Sequence, residues 1–74
     1  MISDENVAKR INDLMLDIFY RVDASCEMVK RTCPPDEVAA YVKATARVVG
    51  PIVFDVLEVL YDKHPELKPD KWDH

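Results

Sequence analysis

The sequence predicts an all-α protein, a long antiparallel helical hairpin, and three observations predict it. Apolar residues recur at alternating spacings of three and four through both halves of the chain, the period of one helix face. No glycine or proline interrupts the first half before Pro34, and the two halves meet at Cys33-Pro34-Pro35. Pro34 and Pro35 stop the first helix, and the same pair starts the second. The chain is read as one domain over residues 1–74.

Helix 1 is expected over about residues 4–32. Ser3 or Asp4 can cap its start, and Asp4 and Glu5 place carboxylates at the positive end of the helix dipole. Val7, Ile11, Leu14, Ile18, Val22, Ser25 and Val29 form the expected core stripe, widened on one flank by Ala8, Met15, Phe19, Cys26 and Cys33. Lys9, Asn12, Asp13, Asp23, Glu27, Lys30 and Arg31 fall on the opposite, solvated side. The result is one amphipathic rod about 42 Å long.

The turn is expected at 33–35, because proline lacks a backbone donor and pushes its predecessor out of the helical region. Helix 2 is expected over about 35–64. Pro35 suits a first helical position, and Asp36 and Glu37 follow it in the first turn. Val38, Val42, Thr45, Val49, Ile52 or Val53, Val56 and Leu60 repeat the core spacing. Tyr41, Val48 and Val59 extend the apolar arc on one flank, and Ala39, Ala46 and Leu57 on the other. That arc covers about half the circumference, wider than the roughly 100° stripe of a surface helix, so helix 2 is expected to meet more than one neighbour. Gly50-Pro51 interrupts it and predicts a kink on the solvent side. Lys63, His64 and Pro65 end the helix, and residues 65–74 read as a polar tail whose only anchors are Leu67 and Trp72.

A chain this short buries little surface, and a lone hairpin has one internal interface. The expected assembly is therefore a homodimeric four-helix bundle, in which a second copy covers the surplus apolar arc of helix 2. The alternative is a monomeric three-helix bundle broken at Gly50-Pro51.

The formal charge of −4 counts against a polyanion partner, since nucleic-acid affinity comes chiefly from neutralising phosphates. Lys9, Arg10, Arg21, Lys30, Arg31, Lys43 and Arg47 scatter around the wheel with acids among them, so no continuous basic stripe forms. Met1-Ile2-Ser3-Asp4-Glu5 lacks the basic start and apolar run of a signal peptide, and charges cut every apolar stretch short of membrane-spanning length. Cys26 and Cys33 lie two turns apart, beyond disulfide reach, and read as reduced, buried thiols. A cytoplasmic location is expected.

No enzyme chemistry is expected. Cys26, Cys33, His64 and His74 are zinc-ligand types, but no pair has a ligand spacing, and the hairpin puts Cys33 and His64 at opposite ends. Asp55, Glu58 and Asp62 share an outward side of helix 2, and the Glu-x-x-His of a di-metal bundle is absent. There is no Gly-rich phosphate loop and no nucleophile beside a histidine. Catalytic, cofactor and metal sites are thus read as none. The residues that suggest a partner are Leu16 and Tyr20, an i, i+4 pair outside the core stripe of helix 1, and Phe54 at the edge of helix 2's arc, at nearly the height of Leu16. The function expected is a small homodimeric interaction or regulatory protein that binds another protein, and the alternative is a helical-hairpin nucleic-acid-binding regulator.

Overall fold

The computed structural model describes residues 1–70. Trp72 and His74, named above as an anchor and a ligand type, lie outside the described residues. Helix α1 spans Glu5–Thr32, and Asp4 caps it: its carboxylate accepts from the N–H groups of Asn6 at 2.9 Å and Val7 at 3.0 Å. Cys33 is extended, at φ −120° and ψ 155°, as a residue before proline must be. Pro35 then opens helix α2, Pro35–Pro51. The chain continues without leaving helical geometry through a π-helical segment, Ile52–Leu57, into α3, Glu58–Lys63, and ends in a 3₁₀ turn at Pro65–Leu67. The outcome is a hairpin of two long arms with no strand among the described residues, and the helix is not broken at Gly50-Pro51.

Two polar contacts fix how the arms are aligned. Cys26 Sγ lies 3.3 Å from Thr45 Oγ1 toward the turn, and the Tyr61 hydroxyl donates to Asn12 Oδ1 at 2.5 Å toward the other end. Beyond them His64 is buried, with Nε2 donating to the carbonyl of Ile2 at 2.6 Å, and Lys63 Nζ donates to Ser3 Oγ at 2.9 Å. The N-terminal segment is thereby clasped to the end of α3.

Among the described residues the fully packed apolar core is Ala8, Val53, Leu57, Leu60 and Tyr61, all at the end away from the turn. None of the residues of α2 is buried. The expected core phase therefore needs two corrections. On α1, Val7 and Leu14 were placed mid-stripe and are 46 % and 48 % exposed, while Asn12, placed on the solvated face, is buried. The reason is that α1's apolar stripe is wider than one seam, and the second arm closes over Ala8 and Asn12 while leaving Val7 and Leu14 outside. On the second arm the core passes to Leu57 and Tyr61, while Val56 is only half-buried.

That second shift comes from Pro51. Without an N–H it leaves the carbonyl of Arg47 short of its regular donor. The winding then tightens and loosens: the N–H of Ile52 reaches back three residues to Val49, and that of Glu58 reaches back five to Val53. A wider turn lags a regular α-helix in rotation. Thr45, Val49, Val53, Leu57 and Tyr61, each four residues on, would drift about 160° around a regular helix of 3.6 residues per turn. The π segment offsets much of that drift, so that Thr45 toward the turn and Tyr61 at the far end both reach α1. Gly50 plays no steric part, since a Cβ there meets nothing within 4 Å and its φ is not positive.

Candidate protein-interaction surfaces

The seam between the arms has two flanks. On one, Ser25 Oγ and Tyr41 Oη lie 2.7 Å apart and bridge α1 to α2. Steps of three, four and seven from Ser25 lead back along α1 through Ile18, Leu14, Ile11 and Val7. From Tyr41 the same flank runs through Val48 and Ile52 to Val56. Four of these residues are well exposed: Val7, Leu14, Tyr41 and Val48. The flank is an apolar strip along the length of the hairpin, with the Ser25–Tyr41 pair as its polar member near the turn.

On the opposite flank Phe19, Cys26, Val42 and Ala46 line an apolar hollow of about 150 Å³ with Asp23 at its side, a size that admits a benzene-sized ring. Leu16 and Tyr20 continue this flank along α1. Leu16 is half-buried, while Tyr20 is 55 % exposed and meets Phe19 edge-on, ring centroids 5.6 Å apart at 86°. Phe54 is 58 % exposed. The register set by Asn12–Tyr61 and Cys26–Thr45 brings Phe54 level with Ile18, between Leu16 and Tyr20. The three residues suggested by the sequence thus share a stretch of the hairpin's length. The sequence does not reveal the hollow beside them, because Phe19, Cys26, Val42 and Ala46 all have the spacing of seam residues. The signal available was the small size of Ala46 and Cys26 at facing positions.

Tyr61 joins this flank to the core. Burial pushes its phenol above the usual value, and Tyr20 and the Asp13 carboxylate push the same way. Asp13 itself is held below the usual carboxylate range by its hydrogen bond from Lys9, at 2.9 Å. Because the folded state keeps the Tyr61 proton more tightly than the unfolded chain, its contribution is complete below the ordinary phenol value of about 10 and is lost as the pH rises above it. Tyr61→Phe leaves the Asn12 carbonyl without its donor and is expected to cost about 1–3 kcal/mol in urea melts at neutral pH. It should also flatten the alkaline loss of stability; an unchanged alkaline limb would remove Tyr61 as its source.

The charged residues form short local pairs. Lys9 binds Asp13, Arg21 Nε lies 3.1 Å from Asp17, and Lys30 lies 3.5 Å from Glu27, each pair within α1. These pairs interrupt any basic stripe on that helix. An open polar hollow of about 480 Å³ at the clasped end mixes Glu5, Lys9, Lys63 and Glu66, so it favours neither sign of ion. Among the described residues no group of three His, Cys, Asp or Glu side chains is placed to hold a metal. Cys26 and Cys33 are free thiols and half-buried, less enclosed than their core spacing implied. No described helix is long and apolar enough to cross a membrane. Compared with protein families, curated proteins and solved structures, the chain matches none of them.

Proposed function

We propose that this chain is a non-enzymatic interaction protein that works as a homodimer, a four-helix bundle made from two hairpins, and binds another protein through the flank carrying Leu16, Tyr20 and Phe54. The observation behind it is the apolar strip from Val7 to Ser25 and from Tyr41 to Val56, where Val7, Leu14, Tyr41 and Val48 are each more than a third exposed in one hairpin, and contiguous apolar surface of that kind marks an interaction site. Covering it also encloses the turn half of the seam, where α2 buries nothing by itself. Two free thiols, Cys26 and Cys33, suit a reducing compartment, and the cytoplasm is the proposed location.

Tyr and Phe beside an apolar hollow are the residue types that anchor protein partners, where a few side chains carry most of the binding energy. Sedimentation equilibrium at micromolar concentration is expected to give twice the chain mass. Tyr20→Ser should keep that mass and the helical content, at a cost of about 1 kcal/mol for the lost ring contact, and should abolish capture of the protein that the wild type recovers from its own cell extract. A folded monomer overturns the homodimer. Salt-dependent retention of RNA or DNA by the wild type would favour the nucleic-acid regulator instead.

A further inference from the structure

The hollow on the Phe19 flank brings a ring-sized space and a lone charge together. Its volume of about 150 Å³ is that of a cavity that takes up benzene. Phe19, Val22 and Cys26 line it from α1, Val42 and Ala46 line it from α2, and Asp23 is the one charged residue in its walls among the described residues. All of them belong to the regular stretches of the two helices, before Pro51 alters the winding. The polar atoms at the seam beneath are already satisfied, because Thr45 Oγ1 donates to the carbonyl of Val42 at 3.0 Å and the Cys26 thiol lies 3.3 Å from that oxygen. What remains open is apolar wall, and Ala46 leaves the room that a longer side chain would fill.

Asp23 differs from the acids on either side of it along α1. Asp17 and Glu27 are held by Arg21 and Lys30, whereas Asp23 makes neither a hydrogen bond nor an ion pair among the described residues. On a regular helix it neighbours Phe19, four residues back, and Cys26, three residues on, so a ring seated between those two lies about 5–6 Å from the start of its side chain. We infer that the hollow is a binding site for a small aromatic amine: one ring enclosed by Cys26, Val42 and Ala46, with an ammonium on a short carbon chain reaching the Asp23 carboxylate at the rim.

The two parts of such a ligand do different work. Burial of the ring against aliphatic walls and a polarizable sulfur supplies most of the affinity, since an ion pair in contact with water adds little. The carboxylate selects the sign and the orientation. An ammonium at the rim keeps its water on the outer side while facing Asp23, and an acid on the same chain would face a like charge. No Lys or Arg lines the hollow to reverse that preference. The site rests on neither the homodimer nor the protein partner, and it lies on the flank opposite the strip of Val7, Leu14, Tyr41 and Val48, so a second copy seated there leaves it open.

Titration of the isotope-labelled full chain with phenethylamine at neutral pH, read by amide NMR shifts, tests the site. The expected result is a saturable shift centred on Phe19, Cys26, Val42 and Ala46, with a dissociation constant of about 1 mM, the range open to a ligand this small. Phenylpropionate, which keeps the ring and reverses the charge, should bind several-fold more weakly, and butylamine, which keeps the ammonium without the ring, should give no saturable shift. Asp23→Asn, at an exposed position, should bring the two ring compounds to similar affinities. Ala46→Leu, also at an exposed position, should abolish phenethylamine binding while the amides of Leu57 and Tyr61 stay where they are. Equal affinity of the wild type for both ring compounds, or an Asp23→Asn protein that still prefers the amine, overturns the assignment of an amine. Absence of a saturable shift with phenethylamine up to about 10 mM overturns the site itself. None of these outcomes bears on the dimer mass, so the homodimer stands or falls separately.

Discussion

Leu57→Ala is expected to lower the melting temperature by more than 10 °C. Leu57 and Leu60 are the two largest side chains fully enclosed among the described residues; Leu57 closes the π segment and Leu60 lies three residues beyond it. Emptying such a site costs about 2–5 kcal/mol, the lost transfer energy plus the cavity left behind. A domain of 74 residues has only about 4–11 kcal/mol of stability at 0.05–0.15 kcal/mol per residue. The loss therefore takes a large share of it, and each kcal/mol is worth about 4–8 °C in a domain this small. Met28→Ala, at a position 58 % exposed on the outside of α1, should stay within about 0.5 kcal/mol. Calorimetry of both variants checks the core phase after Pro51. If Val56→Ala proves more damaging than Leu57→Ala, the lag introduced by the π segment is absent in solution.

The ends of the elements could be read residue by residue, because each has a local cause. Asp4 caps α1, Pro34 stops it, and Pro35 opens α2 with no help from distant parts of the chain. The phase of the core was harder to read. A stripe such as Val7–Ile11–Leu14–Ile18 says that a face avoids water, but not which neighbour covers it, and here the seam takes one flank and leaves the other open. Asn12 carries a polar amide, and its place on the wheel puts it with the solvated residues. Its burial depends on Tyr61, a residue 49 positions away whose hydroxyl satisfies it. The run Thr45-Val49-Val53-Leu57-Tyr61 did carry a signal for the π segment, since four successive steps of four cannot stay on one side of a regular helix.

The candidate surface was legible only as single residues. Leu16, Tyr20 and Phe54 stand out because large apolar side chains outside a core stripe have no local reason to be there. The hollow beside them depends on how closely α1 and α2 approach, and this follows from the size of the side chains at facing positions. Periodicity alone does not contain that information.

Leu14→Asp is expected to convert a dimer into separate chains, and it tests which flank of the hairpin carries the interface. In a single hairpin Leu14 is about half exposed, with its outer side in water. A carboxylate there can remain hydrated, so in a monomeric protein the change belongs with surface substitutions of about 0.5 kcal/mol or less. Once a second copy covers the strip, the same carboxylate is drawn out of water among apolar side chains, with the Arg10 guanidinium one turn back on its own helix. Two such charges enter each dimer, because the twofold axis repeats the site, and each carboxylate taken out of water costs several kcal/mol even beside a cation. Dimer affinity should therefore fall by at least a hundredfold, at about 1.4 kcal/mol per factor of ten. Dissociation brings unfolding with it, since the turn half of the hairpin buries little on its own, and melting should become strongly dependent on protein concentration. Sedimentation equilibrium and thermal melts at two concentrations read both effects. A Leu14→Asp protein that keeps the dimer mass and its melting temperature would mean that the strip of Val7, Leu14, Tyr41 and Val48 faces water in the assembly and that the copies meet on the Tyr20 flank instead.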